Sequence, residues 1–189
     1  MHRRVLLAPL AALLLAALPA APAAAASPVS ADLLPANVVP TFGGGNHWVA
    51  AGTARTQLRG PCVPLLPRGV TATSVFRLPG APAPVTRALQ TVVQLPTMQA
   101  TARAQADVAR RVAACHSRVF PMRSTAGTML WSTVTPIPGN ADEAVFGYIG
   151  IARKGNRMTV VYFSHGGQDS DFPDGVFQRW LARAQAALG

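Results

Sequence analysis

Residues 144–164 read AVFGYIGIARKGNRMTVVYFS. Two runs suited to extended structure, Ala144 to Ala152 and Arg157 to Ser164, flank the short polar step Lys154-Gly155-Asn156. Glycine takes a positive φ there without strain, so the stretch predicts a β-hairpin, which makes the sheet antiparallel at this point. Before it, Thr128 to Ile137 carries Met129, Trp131 and Val134 and predicts a third strand, joined through the turn Pro136-Ile137-Pro138-Gly139-Asn140. After it, His165 to Asp171 reads as a loop, and Asp171 is placed to cap a last helix running to about Leu188. Phe172, Val176, Phe177, Trp180, Leu181, Ala184 and Leu188 give that helix one broad apolar stripe, while Arg179 points away from it and Arg183 sits at its edge.

Further upstream the period changes. Pro96 ends a strand, Thr97 can cap a helix, and Met98, Ala102, Gln105, Val108, Val112 and Cys115 recur at three-to-four spacing. Arg103, Asp107, Arg110 and Arg111 lie off that face. Val70 to Leu78 and Val85 to Leu95 read as a hairpin about Pro79-Gly80-Ala81-Pro82. In the second of these strands Leu89 and Val93 mark an apolar face, and Thr86, Gln90 and Gln94 a polar one. His47 to Gln57 has modest strand character, residues 58–69 are a loop rich in proline and glycine, and Phe42 to Asn46 is a glycine turn. Ser30 to Leu34 can form a short helix ahead of Pro35. The order strands, helix, strands, helix predicts an α+β fold: an antiparallel sheet of about five to six strands with two main helices packed on one face.

The chain has 189 residues, 50% of them hydrophobic and 13% charged, which suits one domain and excludes a charge-rich disordered protein. Residues 1–26 read as a secretory signal peptide: a basic start at His2, Arg3 and Arg4, an apolar core from Val5 to Leu18, and a small-residue site at Ala24-Ala25-Ala26. Pro9 breaks an apolar run already shorter than the ~20 residues of a membrane span, so cleavage before Ser27 is expected, with residues 27–189 a single domain and no later anchor. In an exported chain the cysteines Cys62 and Cys115 most simply form one disulfide, the alternative being two buried free thiols.

The residues that could carry chemistry are few. Asp142-Glu143 is the only adjacent carboxylate pair, and neighbours on a strand face opposite ways rather than across one substrate. Ser164-His165-Gly166-Gly167 invites comparison with an oxyanion loop, but no Gly-x-Ser-x-Gly elbow accompanies it. A calcium loop beginning at Asp169, through Asp171, would need glycine where Asp174 stands and glutamate where Trp180 stands. His47, His116 and His165 show no helical zinc spacing, so no metal and no cofactor is expected. The formal net charge of +10 is carried mostly by arginine, Lys154 being the only lysine. Arg103, Arg110 and Arg111 on one helix, and Arg153, Lys154 and Arg157 about a hairpin tip, read first as a solvated surface and second as a field for anionic envelope material. No aromatic ladder or nucleic-acid motif goes with them, so nucleic acid is not an expected partner.

Taken in order, these segments resemble one family. An early Asp32-Leu33-Leu34-Pro35 precedes a glycine turn, a loop Cys62 precedes a strand pair, and a helix ends Val112-Ala113-Ala114-Cys115. Gly139-Asn140-Ala141-Asp142-Glu143-Ala144-Val145 then leads into a strand, followed by the Gly155-Asn156-Arg157 hairpin and a final helix. In that order, over nearly all of residues 30–188, the chain resembles the extracellular sensor domain of the actinobacterial serine/threonine kinase PknH and the secreted or lipid-anchored sensor-domain proteins related to it. The resemblance implies an α+β extracytoplasmic domain, a ligand-sensing role, a Cys62–Cys115 disulfide and no catalytic residues. The kinase sensor carries two disulfides where this chain can make one, and without a kinase domain any signal is expected to pass through another protein or not at all.

The expectation is therefore a secreted, monomeric, non-catalytic sensor-like domain for an unknown small molecule or anionic envelope component. The alternatives are a secreted hydrolase using Ser164, His165 and Asp169, and a basic structural protein adhering to the envelope.

Overall fold

The computed structural model describes residues 28–41, 47–55, 62–81, 86–122, 124–125, 127–168 and 174–189. The expected signal peptide, the expected glycine turn at 42–46, and Asp169, Asp171 and Phe172 lie outside the described residues. Two single 3-10 turns, Val29–Asp32 and Ala36–Val38, open the described chain. Strands β1 (Val49–Ala54), β2 (Val70–Arg77) and β3 (Arg87–Gln94) then form a first meander. Helix α1 (Met98–Ala113) carries the chain to a second meander of β4 (Arg118–Pro121), β5 (Thr128–Ile137), β6 (Asn140–Lys154) and β7 (Arg157–Gly167), and α2 (Asp174–Ala187) closes the fold. All pairings are antiparallel, and the sheet order is β1-β2-β3-β7-β6-β5-β4, so β3 and β7 join the two meanders.

The α+β class and the antiparallel sheet are as the sequence predicts, with two differences. Among the described residues the sheet has seven strands rather than five to six, because Arg118–Pro121 forms a short edge strand too brief to show a pattern. The helices do not share a face. Val108 and Val112 of α1 pack with Leu89, Val93, Ile149, Ile151, Met158, Val160 and Tyr162, whereas Phe177, Trp180, Leu181 and Ala184 of α2 pack with Ala88, Tyr148, Ala152, Val161 and Phe163. Within each strand these two sets alternate, and alternate residues point to opposite faces, so the sheet lies between the helices. The central strands β3 and β7, covered on both sides, have no solvated face. Gln90, read from alternation as an outward residue, is accordingly 0% exposed.

Local chemistry explains the helix placements. Thr97 caps α1, its hydroxyl accepting from the Ala100 N–H at 3.0 Å. The face α1 buries is Thr101, Gln105, Val108 and Val112; Met98, expected in the stripe, is 66% exposed in the first turn. On the other side, α2 lies mainly over β6, where Gly150 leaves room for it: a Cβ there would sit 3.0 Å from both methyl carbons of Leu181 and 2.9 Å from Val161 Cγ2. Strand β1 takes a bulge between Ala50 and Gly52.

Cys62 and Cys115 are bonded, with Cα atoms 5.4 Å apart, tying the loop before β2 to the end of α1. The bond closes a 53-residue separation, which in the chain-entropy model corresponds to ~4 kcal/mol of the ~5–15 kcal/mol total usual for a domain. Peptide mapping without reductant is expected to recover the two cysteines linked, and reduction to lower the unfolding temperature clearly; recovery of both as free thiols would refute the bond.

The α2 stripe yields a second expectation. Trp180 is 1% exposed and meets Phe177 edge-to-face at 5.4 Å, whereas Arg179 is exposed. Trp180→Ala should cost about 3–5 kcal/mol in thermal or urea unfolding, and Arg179→Ala within about 0.5 kcal/mol. Equal stabilities for the two variants would contradict the packing.

Candidate functional site

Two cavities flank α2: a cleft against the first residues of β5, and a groove against the N-terminal segment. The N-terminal segment crosses the α2 side of the sheet and is pinned there by buried polar bonds. The Arg157 guanidinium, at the start of β7, donates through Nη1 to both carboxylate oxygens of Asp32, at 2.9 and 2.7 Å, and both side chains are buried. Gln90 in β3 accepts the Leu34 N–H on Oε1 at 2.8 Å and donates from Nε2 to the Asp32 carbonyl oxygen at 3.1 Å. A charge pair taken out of water is held only where the geometry is good and further hydrogen bonds complete it, and here Gln90 fastens the same short stretch of backbone.

Helix α2 covers β6 and part of β7, but only its flank reaches β5. A cleft of about 460 Å³ remains between that flank and the start of β5, with Leu130, Leu181 and Ala182 as apolar lining and Thr125, Thr128, Gln178 and Arg179 as polar lining. The Thr125 and Thr128 hydroxyls lie 2.9 Å apart, and Thr128 Oγ1 accepts the Thr125 N–H at 3.0 Å, so this rim is internally bonded. Gln105 of α1 donates to the Gly127 carbonyl at 2.9 Å and accepts from Arg153 Nε at 2.8 Å, while Gln185 of α2 donates to the Arg153 carbonyl at 3.2 Å. The rim turn is thereby tied to both helices. Among the described lining residues there is no histidine, cysteine or carboxylate, and Arg179 is the one charge.

The residues singled out from the sequence fall elsewhere. Residues 165–167, expected as loop, continue β7, with His165, Gly166 and Gly167 paired to Phe146, Val145 and Ala144. Ser164 and His165 are therefore consecutive strand residues on opposite faces and do not meet at one substrate. His165 is 8% exposed and stacks on Phe146 at 5.5 Å. Ser164 is buried across from Arg87 and Gly147. Beside it, burial raises the Tyr162 phenol above its ordinary pKa of 10.0, with Ser164 and Arg87 pulling partly back, so it stays neutral at physiological pH. Asp142 and Glu143 are exposed consecutive residues of β6. Among the described residues no three His, Cys, Asp or Glu side chains gather into a metal-binding group.

The basic patches are partly spent within the molecule. Arg110 and Arg111 both pair with Asp107, Arg153 is bonded to Gln105, and Arg157 is the buried partner of Asp32. Among the described residues, Arg179 and Arg183 line cavities beside α2 without an ion pair, as Arg55 and Arg68 do beside β1 and β2; in sequence Arg179 points away from the α2 stripe and Arg183 sits at its edge. Their spacing of one helical turn was visible in the sequence; the walls they face come from segments distant along the chain. No helix among the described residues is long and apolar enough to cross a membrane. Neither the protein-family models nor the curated proteins searched contain a match to this chain.

Replacing Asp32 by Asn would leave the Arg157 guanidinium buried without its counter-charge. Loss of one partner from a buried pair costs about 3–5 kcal/mol, so Asp32→Asn should lower stability by that order in urea unfolding. The double change Asp32→Leu with Arg157→Met should recover much of it; an Asp32→Asn protein as stable as the parent would remove the pair from its anchoring role.

Proposed function

We propose that the chain is an exported, non-catalytic ligand-binding domain of the sensor type, taking a small and largely apolar molecule in the cleft between α2 and β5. The observation that carries this reading is the cleft itself. Its volume of about 460 Å³ falls within the ~300–1,000 Å³ of ordinary ligand pockets, and its apolar lining is set about with a few polar groups fit to orient a guest. The lining residues offer an orienting cation but no pairing of nucleophile and base, which favours binding over turnover. The signal-like residues 1–26 and the Cys62–Cys115 bond support an extracytoplasmic place. The resemblance to PknH-type sensor domains supports the role. The hydrolase alternative loses ground because Ser164 and His165 face opposite sides of β7.

The test uses Nile red, a neutral apolar dye, titrated into the chain and followed by fluorescence. Saturable binding is expected, with Ala182→Trp filling the cleft and weakening it by about tenfold or more, a change of ~1.4 kcal/mol or above. Equal dye binding by the Ala182→Trp protein, or turnover on an ester, peptide or glycan panel that His165→Ala abolishes, would defeat the reading.

A further inference from the structure

A second cavity lies on the far side of Arg179. It is a groove of about 230 Å³ between the Asn37–Thr41 segment and α2, with Val176, Arg179, Trp180 and Arg183 forming the helix wall. Arg179 and Arg183 stand one helical turn apart, both exposed, and neither has an ion-pair partner among the described residues. Between them in the sequence, Trp180 is 1% exposed and its Nε1–H meets no acceptor among the described residues. Native proteins leave few buried donors unmet, and such a group is costly. On the opposite wall the Pro40 carbonyl accepts from Trp48 Nε1 at 2.6 Å. No carboxylate lines the groove among the described residues. Its unfilled capacity is thus donor capacity: the two exposed guanidinium groups.

We propose that this groove is an anion site that takes a phosphate group between Arg179 and Arg183. Guanidinium groups match phosphate oxygens two at a time, and a pair of them balances the charge of a phosphate dianion. The groove lies below the ~300 Å³ of ordinary small-molecule pockets, so it holds a charged headgroup while the rest of a larger ligand stays outside. The formal net charge of +10 draws anions toward the surface, and the groove fixes where one is bound. The phosphate is either a free small molecule or the headgroup of an anionic phospholipid. This site shares Arg179 with the α2–β5 cleft, but Arg183 borders the groove alone, so the two assignments stand or fall separately.

The experiment titrates the chain with inorganic phosphate against chloride at matched ionic strength, and sediments it with phosphatidylglycerol or phosphatidylcholine vesicles. Saturable phosphate binding is expected, weakened about tenfold or more by Arg179→Ala and by Arg183→Ala, with unfolding temperatures unchanged. Arg103→Ala, on α1 across the sheet, should leave binding intact. Nile red binding should survive Arg183→Ala, which separates this site from the cleft. Phosphate binding without vesicle binding assigns a free phosphate ligand. Arg183-dependent sedimentation with phosphatidylglycerol assigns a headgroup; either supports the site. Phosphate binding no better than chloride together with no Arg183-dependent sedimentation overturns it, as does phosphate binding that both arginine variants retain in full.

Discussion

The antiparallel seam between β3 and β7 is the constraint to which the other parts answer. It runs from Arg87 opposite Ser164 to Gln94 opposite Arg157, and it is where the two meanders meet. A slip of one residue would exchange the two faces of a strand. Leu89 and Val93 would then leave α1, and Gln90 would lose the backbone groups of Asp32 and Leu34. Because both faces are covered, neither exchange is tolerable, and the register is held by apolar packing on one side and polar bonding on the other. Helix α2, the N-terminal segment and the cavities beside them take their places from that register.

The polar side of the seam is unusual in holding a charge pair inside the domain. An apolar replacement of Asp32 and Arg157 could match it in stability, since removing two charges from water costs about what their attraction returns. What the pair adds is position. Arg157 sits at the start of β7 and Asp32 at the end of a single 3-10 turn with little hold of its own, so one bidentate contact sets where the N-terminal segment lies. That segment continues to Asn37–Thr41, one wall of the groove, so the geometry at Arg179 and Arg183 is set in part by a contact elsewhere in the core.

Much of the architecture was legible where periodicity is strong. The β6–β7 hairpin, the strand Thr128–Ile137, the Thr97 cap and the α2 stripe from Phe177 to Leu188 all followed from spacing and turn chemistry. Alternation failed at β3, because a central strand covered on both sides buries its polar residues as well, and Gln90 looks outward-facing in sequence while being wholly enclosed. The side taken by each helix was not legible at all: a stripe shows that a helix packs, and only strand parity in three dimensions shows on which face. The basic hairpin tip misled for a related reason, since Arg157 reads as a surface charge until Asp32, far away in the chain, is brought to it. Cavities between segments distant in sequence leave no local pattern, so the neighbours of Arg179 and Arg183 had no signature to find.

The bulge in β1 bears on how this molecule can associate. A long, flat outer strand offers a row of free backbone groups on which another chain can add. Here one outer strand is interrupted between Ala50 and Gly52, and the other is only four residues long and ends in Pro121, which has no N–H to give. Continuation of the sheet into a second copy, or recruitment of an extended peptide as an eighth strand, is therefore disfavoured at both margins. Partners must engage side chains on the helices and loops, which leaves recognition to surfaces whose residues can change without disturbing the sheet.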